Sequence, residues 1–533
     1  HHRLTAVVDD VNRYPEISET NNRLELDFQV LDRPAANLPD SVVDDIAFEI
    51  QPDGRVLFTA TVSNIGNTAT PDVVGVAFFV DDRYTTYGIT QPMAANTTET
   101  IRAVKTLSLT GTHKITAIVD DVNRYNELSH QNNTRTRTVT IPLIERRAIW
   151  ITRYDWTDHN RPAEPERIDR MVENIARAGF NTILFQVRTA GEAYYTPGLE
   201  PWAARLTGST WQTLGKDPGW DPLARLLEKA HAAGLEVHAY LNAYTAWLPP
   251  ASPEEGKLYP PATTPPHMFD RLTYNPGHAE HPGEHGLGWT WRQYSDGDTP
   301  MKLQWGRYLW ASPGVDEVQN HIVAVVKDVV TRYAVDGVHL DHVRYAGKAY
   351  SFDPPSVAAA GLDKTAERDQ WQRDRVTALV RRVYIQTKAI RPDALVSAAV
   401  WPYYVDKWQA GLSEGLNDYY QDSKGWLAAG IIDAIMPMLY DGRADEFELW
   451  QTLMTDFLAD SAGRQVIPGI GGAYDDFAQI ARRIETARAA GAPGHAIFSY
   501  ESLNRRGYWD ALAAGPYAVP AVPSARVFSQ QVG

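Results

Sequence analysis

The chain has 533 residues, 44% hydrophobic and 22% charged, which is too long for one core and too apolar for a disordered polymer, so two or three domains are expected. A formal net charge of −15 argues against nucleic acid and anionic membrane as partners, and no run approaches the roughly eighteen apolar residues of a membrane-spanning helix. The absence of cysteine excludes disulfides, thiol nucleophiles and thiolate metal sites.

The first informative feature along the chain is a repeat. Residues 4–22, LTAVVDDVNRYPEISETNN, return at 115–133 as ITAIVDDVNRYNELSHQNN, an offset of 111 residues. A period of that length is a whole β-sandwich, and the alternating apolar runs at 55–62 and 73–80, set off by Gly, Asn, Asp and Pro turns, fit one. Residues 1–32 therefore read as the end of a first sandwich and 40–142 as a second, in a piece of a longer tandem protein. The Asx residues Asp120, Asp121, Asn123, Asn132 and Asn133 fit turn capping better than calcium binding.

From Arg147 the rhythm changes to short apolar strands alternating with amphipathic helices. The predicted strands are 148–152, 182–187, 236–241, 337–340, 395–400, 433–440, 466–470 and 495–500, each followed by a helical run. Eight such units predict an α/β fold, a (β/α)₈ TIM barrel over 147–513, with 514–533 as a Pro- and Ala-rich linker or tail. Between strands 3 and 4 lies a Pro-, Trp-, His- and Tyr-rich insertion, 243–313, long enough to form a wall or lid over the active-site face.

In such barrels the carboxyl ends of the strands carry the chemistry. Those ends hold Gln186 and Arg188 on strand 2 with Glu192 beyond, Asn242 on strand 3, and Asp341 on strand 4 followed by His342, Arg344 and Tyr345. Trp401 follows strand 5, Tyr440 and Asp441 follow strand 6, and Tyr500 and Glu501 follow strand 8. Two carboxylates in an aromatic-lined cleft are the requirement for glycoside hydrolysis: one protonates the leaving oxygen, the other attacks the anomeric carbon or activates water. Asp341 is the first candidate, and Asp441, Glu192 and Glu501, in that order, are its candidate partners. Glu192 could instead pair with Arg188, and Glu501 could cap the last helix. Asp155 and Asp158 read as loop residues. Gln186, Arg188, Asn242, Arg344, Tyr345, Trp401, Tyr440 and Tyr500 are candidates for binding sugar.

Several long motifs carry a family resemblance. FQVRTAGEAYYTPGLEPW, PGWDPLARLLEKAHAAGLEVHAYLNAY, the segment from YLWASPGVDEVQNH to VDGVHLDHVRY, and MPMLYDG resemble, in order, the glycosyl-hydrolase-like family 10 over residues 147–510. The resemblance implies a TIM-barrel glycosidase of bacterial surface proteins that acts on peptide-stripped peptidoglycan strands. By position it places Asp341 at the family's strand-4 acid, Gln186 and Arg188 in its strand-2 motif and Asn242 at its strand-3 Asn. Many members carry a second Asp where this chain has His342, Pro where it has Ala346, and Gly-Asp where it has Gly191-Glu192. The segment SNIGNTAT and the repeated VDDVNRY motif resemble CARDB, a cell-adhesion-related Ig-like domain, which implies a spacer or adhesive module and a location outside the cytoplasm or at the bacterial surface.

Two other readings stay open on sequence. His238, His339 and Asp341 share inward parity on strands 3 and 4 and could hold zinc, although buried packing accounts for the histidines more simply and no metal or cofactor is expected; the loop histidines His278, His281 and His285 are weaker ligands still. A non-catalytic carbohydrate-binding or adhesion protein is the other alternative. The expected partner is a polysaccharide, and the oligomeric state is not legible.

Overall fold

The computed structural model of the chain describes residues 2–8, 11, 14–29, 36–51, 53–273, 288, 290–295, 299–363, 365–409, 411–440 and 442–524. The chain divides into two compact units, residues 1–141 and 142–533.

In the first unit, a three-stranded sheet in the order Ser41–Ile50, Val56–Asn64, Thr97–Arg102 and a four-stranded sheet in the order Arg83–Thr90, Val74–Val80, Gly111–Val119, Thr134–Ile141 make an antiparallel sandwich. Strict alternation along Val56–Asn64 buries Val56, Phe58, Ala60, Val62 and Asn64, and Phe58 stacks on Phe78 of the other sheet at 6.2 Å. The first repeat forms a hairpin, His2–Val7 with Arg23–Phe28, in which Leu4 faces Leu26. Its counterpart is Ile115 facing Arg137, so the repeated sequence takes the same register twice. The carboxyl group of Asp120 caps its own turn, accepting from the backbone N–H of Arg124 at 2.8 Å.

The second unit is the barrel. Its strands are β1 (Arg146–Ile151), β2 (Thr182–Arg188), β3 (Glu236–Asn242), β4 (Gly337–Asp341), β5 (Leu395–Val400), β6 (Ala434–Pro437), β7 in two pieces (Gln465–Val466 and Gly469–Gly471) and β8 (Gly494–Phe498). All pairs are parallel. The first piece of β7 pairs with β6 and the second with β8, while β8 pairs with β1, so the sheet closes on itself through a strand interrupted at Ile467-Pro468. Alternation divides the side chains: Trp150, Leu184, Tyr240, Leu395, Met436 and Ile467 fill the interior, while their neighbours pack outward against helices.

The helices form where their signals predict. Pro165–Ala178 and Pro222–Ala232 each begin with proline at the first turn, where a missing N–H is harmless, and Asp221 caps the second through the N–H of Ala224 at 3.0 Å. The first buries Ile168, Met171, Val172 and Ile175 on one stripe and ends at Gly179, whose φ of +89° suits glycine.

The reading of 514–533 as a linker does not fit its described part. Ala521–Val522 pairs in parallel with Leu143–Ile144, and Tyr517, 4% exposed, lies beneath the Arg147 guanidinium at 4.3 Å and bonds His495 at 2.6 Å. Arg147 is fully buried and needs acceptors, which the segment supplies through the carbonyl of Val519 at 2.8 Å. Pro- and Ala-rich composition concealed that one aromatic anchor.

Candidate active site

Period-2 geometry turns Gly337, His339 and Asp341 of β4 inward and packs Val338 and Leu340 outward. His339 is committed to the core: its Nε2 accepts from the Trp150 indole N–H at 3.1 Å, its Nδ1 bonds Ser397 Oγ at 2.9 Å, and burial pushes its pKa down to about 3, so it is neutral. Asp341, one layer higher, is 15% exposed at the open end. The Tyr240 hydroxyl donates to its Oδ2 at 2.7 Å, the His342 backbone N–H donates to its Oδ1 at 2.6 Å, and His342 Nδ1 lies 3.3 Å from Oδ2. Burial pushes this carboxyl up, but the field and hydrogen bonds of His342 and the Tyr240 hydroxyl together outweigh it and hold it well below the usual carboxylate range. Asp341 is therefore ionised at neutral pH.

His342 adopts φ +49°, a left-handed conformation uncommon for histidine, which sets its ring against Tyr308 at 5.6 Å and Trp310 at 5.4 Å. Those rings come from the far end of the insertion, where Leu309–Trp310 pairs with Thr245–Trp247. Replacing His342 by Asn is expected to raise the Asp341 pKa. Because the ionised form acts, the acidic limb of the pH–activity profile should move toward neutral, with about a tenfold loss of activity below the limb per unit of rise. An unmoved limb in kcat/KM between pH 3 and 7 would show that His342 does not tune the acid.

Aromatic rings flank this carboxylate. The Arg344 guanidinium lies 5.0 Å from the Trp310 ring, 5.1 Å from Trp401 and 4.7 Å from Tyr419. Tyr440 stacks on Phe498 at 4.7 Å with parallel planes, and both meet Trp150 edge-on. A Cβ on Gly469 would come within 2.8 Å of the Tyr440 ring, so glycine there is what lets that ring lie flat on the strand. Across β1 to β3, the Arg153 N–H donates to Gln186 Oε1 at 3.0 Å and Gln186 Nε2 donates to Asn242 Oδ1 at 3.1 Å, with Asn242 level with Asp341.

The structure thus gathers Asp341, Gln186, Asn242, Arg344, Trp401 and Tyr440 at the open end of the barrel. Glu192 is half-buried on a cavity of about 340 Å³ with Arg153, Tyr154 and Arg205, and accepts from Thr189 Oγ1 at 2.6 Å. Asp441 lies outside the described residues, as do His278, His281 and His285. Four expected site residues, Arg188, Tyr345, Tyr500 and Glu501, are placed otherwise, and the zinc alternative is opposed. Arg188 is fully buried, paired with Glu200 at 2.9 Å and bonded to the carbonyls of Ala243 at 3.2 Å and Thr245 at 3.3 Å; a bulge after Gln186 turns it to the outer face opposite Leu241. Its carboxylate partner is Glu200 rather than Glu192. Tyr345 is buried against Tyr420 at 5.3 Å, away from the rim. Tyr500 accepts from Asn174 at 3.0 Å on the first helix, and Glu501 is exposed in the first turn of the helix Tyr500–Arg506, because β8 ends at Phe498 and the chain turns at Ser499. Finally, His238 pairs level with Gly337, about 13 Å along the strand from the level of Asp341. That spacing and the engaged nitrogens of His339 oppose a shared zinc site, and among the described residues no group of three His, Asp or Glu is placed to hold a metal.

Sequence reasoning missed Tyr240, Phe498, Trp310 and Asp445, and read Asp155 as a loop residue. Tyr240 and Phe498 could have been found from strand parity; the other three had no periodic signal. Asp155 is 6% exposed, and burial pushes its pKa up to about 6 despite the Thr152 and Glu501 backbone N–H groups and the Ser499 hydroxyl that donate to it.

A closed parallel barrel with an ionised carboxylate at the end of β4, set among aromatic rings, defines a (β/α)₈ hydrolase of the glycosidase class. Residues 145–261 and 284–484 match the family Glycosyl hydrolase-like 10, and the chain belongs to that family and is a glycoside hydrolase; residues 42–137 match CARDB. The chain is 26% identical over 426 residues to the glycosyl hydrolase YngK of Bacillus subtilis (strain 168), spanning 73% of this chain and 76% of that protein. It is 28% identical over 316 residues to the glycosyl hydrolase DigH of Escherichia coli (strain K12), spanning 55% of this chain and 65% of that protein. Among solved structures, the glycoside hydrolase domain of PgaB (BpsB) from Bordetella bronchiseptica aligns with a TM-score of 0.45 at 16% identity, over 71% of this chain and all of that domain.

Proposed function

We propose that the chain cleaves a polysaccharide outside the bacterial cytoplasm, with Asp341 as nucleophile or base and an N-acetylated or acidic glycan, first of all peptide-stripped peptidoglycan, as substrate. The observation that carries the reading is the ionised Asp341 at the mouth of the barrel, supported by the Tyr240 hydroxyl and bordered by the rings of Trp310, Trp401 and Tyr440. Rings of this kind stack on sugar faces, and Arg344, held among three of them, offers a cation to a carboxylate or acetamido oxygen. Asp341 would stabilise the oxocarbenium-like transition state by bonding the anomeric carbon or by deprotonating water. The CARDB match supports a surface location.

Mass spectrometry of products from peptide-stripped peptidoglycan, chitin, xylan and acidic polysaccharides tests this reading. The expected result is fragments from peptide-stripped peptidoglycan or another N-acetylated or acidic glycan with wild type, and none with Asp341→Asn. Cleavage of xylan alone would overturn the substrate class, and equal cleavage by both proteins would overturn the role of Asp341.

A further inference from the structure

A second carboxylate at the open end remains without a role. Asp445 closes the short turn Gly442–Asp445 after β6 and lines a cavity of about 640 Å³ with Tyr440, Gly471, Tyr474 and Phe498, within the size range of ligand sites of about 300–1,000 Å³. The floor of this cavity is the stacked Tyr440–Phe498 pair. Tyr440 meets Trp150 at 5.7 Å, Trp150 meets His339 at 5.8 Å, and His339 meets at 5.6 Å the ring of Tyr240, whose hydroxyl donates to Asp341, so a run of touching rings joins the cavity to the surroundings of Asp341. The Asp445 side chain is 30% exposed; its Oδ1 accepts from the Tyr474 hydroxyl and lies 3.7 Å from the buried Arg483 guanidinium.

We propose that Asp445 is the acid that protonates the leaving glycosidic oxygen in the reaction served by Asp341, an assignment that rests on the barrel being a glycan hydrolase. The bond between the anomeric carbon and the leaving oxygen breaks, its electron pair stays on that oxygen, and the oxygen takes the proton of Asp445. The anomeric carbon is captured by Asp341 or by a water that Asp341 deprotonates. In the first case a later water displaces Asp341 and returns its proton to Asp445; in the second, Asp341 releases to solvent the proton it took and Asp445 takes one back, and in both the sum is one bond cleaved and one water consumed. Burial raises the Asp445 carboxyl from its ordinary value, against the Tyr474 hydrogen bond and Arg483, while Asp341 is held well below its own, and such divergent environments separate an acid from a base. Asp155 is also raised, but both its oxygens are already engaged by Thr152, Ser499 and Glu501, where it ties β1 to β8.

The test compares two leaving groups: peptide-stripped glycan strands, whose departing sugar hydroxyl needs a proton, and the dinitrophenyl glycoside of the disaccharide cut from them, which needs none. Asp445→Asn is expected to lose about 10²-fold or more in kcat/KM on the strands, stay within about tenfold of wild type in kcat/KM on the dinitrophenyl glycoside, and lose the alkaline limb of its pH profile. Equal losses on both substrates, or none on the strands, would overturn the assignment while leaving Asp341 in place. Tyr474→Phe removes the hydrogen bond that lowers the Asp445 pKa, so its alkaline limb should move up, and an unmoved limb counts against the proposal. Wild type that cleaves none of the N-acetylated or acidic glycans would overturn the assignment and the substrate reading together.

Discussion

Asp341→Asn is expected to lower kcat on the cleaved glycan by at least about 10³-fold while changing KM little. The amide is nearly isosteric, and its oxygen can still accept from the Tyr240 hydroxyl or the His342 N–H, so the fold and the aromatic walls should persist. What disappears is the negative charge, and an amide neither bonds the anomeric carbon as a good nucleophile nor takes a proton from water. Initial rates against substrate concentration, with far-UV circular dichroism of both proteins, check the result. A variant that keeps a tenth of wild-type kcat would show that the charge on Asp341 does not carry the reaction, and a raised KM at full kcat would make it a binding group.

The barrel was legible because its strands are buried on both faces and read as short apolar runs, each followed by a helix with its own start and stop signals. Asp341 was legible for the same reason, as an acid at the end of such a run. Parity was where the reading failed. Gln186 and Arg188 are two residues apart and so share a face in a regular strand, but a bulge between them, invisible as composition, sends one to the site and the other to the outer core. At β8 the strand stops at Phe498, so Phe498 takes the place at the rim that extrapolation had given to Tyr500. Trp310 reaches the open end on a two-residue strand of the insertion and Asp445 on a short turn, and only the folded chain shows what such short pieces stand beside.

The bulge makes Arg188 a stability residue, and Arg188→Met is expected to destabilise the barrel by about 3–5 kcal/mol at neutral pH. Arg188 and Glu200 are both fully buried, and the guanidinium also binds the carbonyls that follow β3, so its loss strands a carboxylate and several acceptors at once. His321, 2.8 Å from Glu200, relieves the charge only in part. Burial pushes the Glu200 carboxyl up, but Arg188 and His321 together overcome it and hold the folded pKa well below the ordinary value of 4.5. The contribution of Glu200 is therefore present above about pH 4.5 and fades as pH falls below it. In Arg188→Met the stranded Glu200 can protonate as the pH drops, so the gap between variant and wild type should narrow toward pH 4. Denaturant melts of the barrel transition at pH 7 and pH 4 check both the loss and its direction, and Glu200→Gln in the same background should restore part of it. If Arg188 instead bound substrate, as strand parity had predicted, the variant would unfold with wild type and show only a raised KM.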